Sequence, residues 1–145
     1  MKVVIQRVKN ASVAIDDDVK SEIGGGFLAL VGIAKNDTSN EIDNIAGKIS
    51  KLRIFEDIHG KMNLDIIETG GEVLSVPQFT LLGRTDDGNR PGFDLAAVPD
   101  EAKRLWKEFN AKLREAGIPV AEGEFGAHME VSLINDGPVT FVLEV

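Results

Sequence analysis

Hydrophobic and polar residues alternate at the start of the chain. Val3, Ile5 and Val8, with their neighbours, predict a first strand over residues 2–9. SVAIDDDVKSEI, Ser12–Ile23, reads as a hairpin turning at Asp16–Asp18. GGGFLALVGI follows, a glycine run and then unbroken apolar residues, the pattern of a strand covered on both faces. The period then changes. Ile42, Ile45, Ala46, Ile49 and Leu52 recur at helical spacing behind Thr38 and Glu41, which form an S/T-x-x-E capping box. LRIFEDIHGKMNLDI reads as strand, turn at His59-Gly60, strand, and GGEVLSVPQFTLL as a strand with a proline inside it. Residues 83–97 form a glycine- and charge-rich loop. Pro99, with Asp100 and Glu101 behind it, opens a second helix with Ala102, Leu105, Trp106, Phe109 and Leu113 as its stripe. Gly117 and Pro119 stop it, and short strands are predicted near 119–124, 128–134 and 139–145. Two helices cannot cover both faces of a large sheet. The pattern therefore predicts an α/β domain spanning 1–145, built of two packed β-sheets with the two helices on one outer face.

The last two strands raise a question. In LINDGPVTF, Leu133 to Phe141, the apolar residues ask for a sheet, whereas Asn135, Asp136, Gly137 and Pro138 oppose one. Proline cannot donate to a ladder and is confined to edges and bulges. Either the segment is a hairpin turn, or the Gly-Pro peptide is itself a working part.

Composition narrows the classes. A hydrophobic fraction of 43 % supports a core. There is no cysteine, so disulfides and thiolate chemistry are excluded. No apolar run reaches the roughly 18 residues of a spanning helix, and the charged, alternating N-terminus does not read as a signal peptide. A cytoplasmic protein without membrane contact is the expectation. The net charge of −8 argues against a broad basic face for nucleic acid, though not against a small basic patch.

The side chains do not advertise chemistry. His59 and His128, the only histidines, sit in no H-x-x-x-H pattern, so no metal and no cofactor are expected. His59 reads as a turn residue and His128 as a polar residue on a strand. Gly24–Gly26 lacks the spacing of a phosphate loop and reads as a tight turn or close backbone approach. Ser75, Thr80 and Ser132 offer hydroxyls, but no Ser-His-acid grouping can be argued. Three backbone-rich segments stand out instead: SVPQFTLLG (Ser75–Gly83), GNRPGF (Gly88–Phe93) and GEFGAHMEVSLINDGPVTF (Gly123–Phe141).

Taken in order, these segments resemble the D-aminoacyl-tRNA deacylases, and the likeness runs nearly end to end. It covers VVIQRV, LRIFED..GKMNL, PQFTL, GNRPGF, FGAHMEVSL and NDGPVT. The family's Asn-x-Gly-Pro-x-Thr segment is intact at Asn135–Thr140. Its Ser-Gln-Phe-Thr-Leu strand appears as Pro77–Leu81, with Pro77 in place of serine, and Gly92 stands where serine is usual. Pro77 resembles the related deacylases that act on L-alanine mischarged to tRNA. Those relatives, however, carry alanine where this chain has Phe79.

The resemblance implies a three-layer α/β/β fold and hydrolysis of D-aminoacyl-tRNA, with glycyl-tRNA as a further substrate. It implies a homodimer in which a cis Gly137-Pro138 peptide enters the partner's site and rejects L-residues sterically. Gln78, Phe79 and Thr80 become the catalytic candidates, with backbone N–H groups for the oxyanion and the tRNA 2′-hydroxyl assisting attack. Gly137, Pro138, Arg7, Phe125 and Met129 become the substrate-binding candidates. Phe125 would stack on the terminal adenine and Arg7 would hold the Gly-Pro loop. Lys51, Arg53, Lys61, Arg84 and Arg90 are candidates for a local basic patch at the tRNA acceptor end. Competing readings are an editor of L-alanyl-tRNA, a non-catalytic RNA-binding module and a general esterase.

Overall fold

The computed structural model describes residues 1–86 and 88–145, so the loop predicted over 83–97 contains one position outside the described residues. Strand β1 (Lys2–Ile15) runs on where the alternation predicted a break after residue 9. At its end Asp16 and Asp17 take positive φ values of 50° and 67°, the pair a two-residue hairpin turn requires. Strand β2 (Asp18–Ile23) then returns along residues 11–15. Strand β3 (Gly26–Gly32) pairs antiparallel with residues 2–8 of β1. Gly26 has φ 153°, and a Cβ there would lie 1.9 Å from the Glu72 carbonyl oxygen, so the close backbone approach expected of the glycine run is real.

Helix α1 (Ser39–Ser50) carries the Thr38–Glu41 capping box as expected. The small hairpin of β4 (Phe55–Glu56) and β5 (Met62–Leu64) follows. Strand β6 (Glu72–Pro77) then lies parallel to β3. Helix α2 (Pro99–Glu115) leads to β7 (Val120–Glu122), parallel to β6. Parallel neighbours need crossovers, and α1 and α2 lie in the two that this sheet requires. Strand β8 (Glu130–Glu144) finally covers the free side of β1, from Lys2 opposite Glu144 to Ala14 opposite Glu130.

The single α/β domain has the expected layers, but its two β-layers are parts of one hydrogen-bonded six-stranded sheet. Register shifts at Gln6/Val8 and Val8/Asn10 against β8, and at Val13/Ala14 against β2, supply the bulges that let long strands bend. Phe27, Val31 and Val73 pack with Ile42, Ile45, Trp106 and Phe109 of the helices. On the other side Leu28, Leu74 and Val76 pack with Val8, Val13 and Ile23, with Val131 and Leu133 against them. Among the described residues no helix is long and apolar enough to cross a membrane.

Two further element boundaries differ from expectation. The strand predicted through Leu82 ends at Pro77, and Phe79–Leu82 form a 3-10 turn. Proline has no N–H to extend the ladder, so the chain turns there. The three closing strands are two, because β8 continues through the Asn-Asp-Gly-Pro segment.

A buried ion pair joins the chain's ends to the end of β3. The Met1 ammonium donates to Asp37 Oδ1 at 2.6 Å and to the Val145 carbonyl at 3.0 Å, while Ala34 N–H donates to Asp37 Oδ2 at 2.5 Å. Removing one charge of a buried pair leaves the other uncompensated. Asp37→Asn is expected to lower unfolding stability by about 2–4 kcal/mol, read as a drop in urea midpoint at unchanged m-value.

Candidate active site

A cleft of about 560 Å³ opens where β3, β6 and α2 meet the segment between β7 and β8. The end of β6 builds one wall. Gln78 N–H donates to the Val31 carbonyl at 2.7 Å, so Gln78 still borrows the edge of β3 after the β6 ladder has stopped. The Gln78 side-chain amide donates to the Thr80 hydroxyl. Phe79, 56 % exposed, meets the edge of Phe93 with ring centroids 4.9 Å apart. Phe93 is held by the loop before α2, where Arg84 and Gly92 exchange backbone hydrogen bonds of 2.8 and 2.9 Å.

The opposite wall is residues 123–129. Gly123 N–H donates to the Ser75 carbonyl at 2.9 Å, and Glu124 N–H to the Met129 sulfur at 3.3 Å. Phe125 lies 6.1 Å from the Trp106 ring, and both line the cleft. Glu122 ties β7 to α2: burial pushes its carboxyl up, but hydrogen bonds from Lys107 and Arg114 outweigh this and hold it below the usual range. Among the described residues, His128 is the one ionisable side chain lining the cleft. No group of three or more His, Asp or Glu stands ready for a metal among them.

The second candidate group lies elsewhere. Gln6 pairs with Thr140 and Val8 with Asn135, so Asp136, Gly137, Pro138 and Val139 stand opposite Arg7 alone. This wide bulge is the structure's answer to the interrupted strand. The Gly137-Pro138 peptide is cis. Asn135 holds the base of the bulge: its side-chain amide donates to the carbonyls of Arg7 (3.3 Å) and Val139 (3.2 Å), and its oxygen accepts from Val139 N–H at 3.2 Å. Arg7 is 4 % exposed. Its guanidinium donates to the Asp136 carbonyl at 3.1 Å and the Ile54 carbonyl at 2.7 Å, and faces the Glu56 and Asp136 carboxylates at 3.6 and 3.5 Å. Gly137 and Pro138 are exposed. Asp136 borders a shallower hollow shared with Lys9 and Gly70, and no residue of 135–139 lines the large cleft.

The family follows from comparison with known proteins. A family described as D-Tyr-tRNA(Tyr) deacylase matches residues 4–144. Proteins named D-aminoacyl-tRNA deacylase are 50 % identical in Brevibacillus brevis over 99 % of each chain, and 49 % identical in Deinococcus radiodurans over the whole of both. The chain belongs to the D-Tyr-tRNA deacylase family. Its activity is that of the family, hydrolysis of the ester bond in D-aminoacyl-tRNA. In Geobacter sp. strain M21 the relative of that name is 54 % identical over 99 % of this chain and 97 % of its own. A solved structure described as a c-Myc DNA unwinding element binding protein superposes with TM-score 0.94 at 40 % identity, over 100 % of this chain and 99 % of that one. One described as "a probable eukaryotic D-amino acid tRNA deacylase" shares the fold, with TM-score 0.87 at 17 % identity over 99 % and 98 %.

Within this deacylase fold Gln78, Phe79, Phe125 and Met129 come together at the cleft, with Thr80 beside Gln78. Arg7, Gly137 and Pro138 gather on the bulge. Of the basic residues expected to form a patch, Arg84 is engaged by Asp86 and Asp94, its hydrogen bond to Asp86 and then their charges raising its pKa, and Arg53 by Asn63. His128 belongs to the loop before β8, not to a strand, because β8 starts at Glu130. Sequence reading gave Trp106 and Phe93 no site role, since a helical stripe and a glycine-rich loop carry no signal of what they face. Replacing Arg7 by methionine leaves two carbonyls without their donor. It is expected to cost about 3 kcal/mol in equilibrium urea unfolding, far more than an exposed arginine would.

Proposed function

We propose that the deacylase is a homodimer in which the bulge of one protomer completes the cleft of its partner, giving chiral proofreading of aminoacyl-tRNA. One observation carries this reading: the Gly137-Pro138 segment is exposed, firmly held by Arg7 and Asn135, and absent from its own chain's cleft. The carbonyls flanking the peptide face the amino group and α-carbon of the bound aminoacyl ester. A D-residue points its side chain away from them, an L-residue drives its side chain into them, and glycine has none to reject.

The chemistry needs an oxyanion site and an activated water. The first amides of a helical turn have no partner within it, so Phe79 and Thr80 N–H serve the oxyanion, while Gln78 orients Thr80. The ribose 2′-hydroxyl assists attack of water on the ester carbonyl. The C–O bond to the 3′-oxygen breaks, and that oxygen takes the proton. Phe125 offers its ring to the terminal adenine, and Met129 lines the same cleft. The acidic charge restricts contact to the acceptor end, so affinity falls as salt rises. The setting of this activity is the cytoplasm.

Pro77 favours a second reading, removal of L-alanine, because it lines the cleft next to Gln78. Incubating the protein with D-Tyr-, L-Tyr-, Gly- and L-Ala-tRNA separates the two. Loss of the D-tyrosyl and glycyl esters alone is expected, and L-alanyl turnover in preference to D-tyrosyl would establish the alternative. Activity on simple esters lacking RNA would point to a general esterase, and no turnover at all to an RNA-binding module.

Gly137 has φ 138°, and a Cβ there would lie 2.6 Å from the Val139 side chain and 2.8 Å from its nitrogen. Gly137→Ala therefore displaces the bulge. A loss of D-Tyr-tRNA turnover of about 100-fold or more is expected, with a lowered urea midpoint from the strain at the positive φ.

A further inference from the structure

Trp106 is the chain's only tryptophan and is 1 % exposed, yet it lines the cleft. Its indole N–H donates to the Ser75 hydroxyl at 2.8 Å, and both groups are buried. Ser75 sits on β6 just ahead of Pro77 and Gln78, and its carbonyl accepts from Gly123 N–H at the start of the opposite wall. The same indole backs Phe125 at 6.1 Å. One side chain of α2 thus touches both walls: the strand that delivers Gln78 and Phe79, and the ring on the 123–129 segment. The helix is itself fastened nearby, with Lys107 and Arg114 both on Glu122 of β7. A phenylalanine would fill most of the space at position 106 as apolar core. What it lacks is the donor, and a buried hydroxyl left unpaired shifts to find another partner.

We propose that Trp106 is a positioning residue of the deacylation site, acting through its hydrogen bond to Ser75 to set the two walls at the spacing the reacting ester needs. The inference rests on the reading that Gln78–Thr80 carry the chemistry. With 1 % of its surface exposed, Trp106 acts through Ser75 and Phe125, so its contribution appears in alignment of the reacting groups and not in ground-state contact with the tRNA.

The test compares Trp106→Phe, Ser75→Ala and the double variant with the parent enzyme on D-Tyr-tRNA, after far-ultraviolet circular dichroism and thermal melts confirm folding. Each single variant is expected to lower kcat about tenfold with KM within about twofold, and the double variant to lose no more than either single one, because both delete the same bond. If Trp106→Phe does not fold, Ser75→Ala alone carries the test, since it leaves the indole in place. An unchanged kcat in a folded variant, or losses that multiply in the double variant, overturns the inference. Gln78→Ala run alongside keeps the two readings apart. Loss of kcat in Gln78→Ala but in neither Trp106→Phe nor Ser75→Ala overturns only the role of Trp106. An unchanged kcat in Gln78→Ala overturns the reading of the site on which it rests.

Discussion

The hydrogen bonds between Arg7 and the bulge of β8 are the constraint on which the rest of the site depends. β1 is central to the sheet and must be paired on both sides, so β8 cannot simply end where its sequence turns to Asn-Asp-Gly-Pro. It keeps its ladder above and below and extrudes Asp136–Val139 opposite one residue. That residue is a buried arginine, whose fork satisfies a bulge carbonyl and the Ile54 carbonyl together. A buried guanidinium is costly without partners, and here its partners are the very groups that need holding. The result is a rigid, exposed peptide on a strand whose outer edge has no paired strand among the described residues.

The cleft obeys a second constraint of the same kind. Pro77 ends β6, and the chain must turn immediately, which brings Gln78, Phe79 and Thr80 to the sheet's end. Pro77 has no N–H to carry the ladder further, and the 3-10 turn of Phe79–Leu82 follows at once. The proposed mechanism, with selectivity from backbone carbonyls and catalysis from backbone amides and the RNA's own hydroxyl, accounts for side chains that carry so little signal. The cleft is nearly free of charge although the protein is acidic, and His128 is its one ionisable lining group among the described residues.

Much of the fold was legible because its signals are local. The capping box at Thr38, the stripe from Ala102 to Leu113 and the proline opening α2 each name a helix without help from the rest of the chain. Strand ends were not legible. β1 runs on past residue 9 and β8 runs through a Gly-Pro because partners on the neighbouring strand demand it, and no local pattern records those partners. The family's motifs gathered the candidate residues, but only the structure shows that they fall into two groups apart. Trp106 read as core and is core; that it also floors the cleft depends on which strand α2 packs against.

The central claim is that two chains share one site, and complementation tests it most directly. Gly137→Ala damages the bulge and Gln78→Ala the cleft. Each protein alone is expected to be nearly inactive on D-Tyr-tRNA. The two are unfolded together in urea, refolded as a mixture and assayed. In a mixed dimer one cleft then receives an intact Gln78 from one protomer and an intact Gly137 from the other. Recovery of about a quarter of parental activity is the expected result for random pairing in a symmetric dimer. A mixture no more active than its components would contradict the account and place the whole site within one chain.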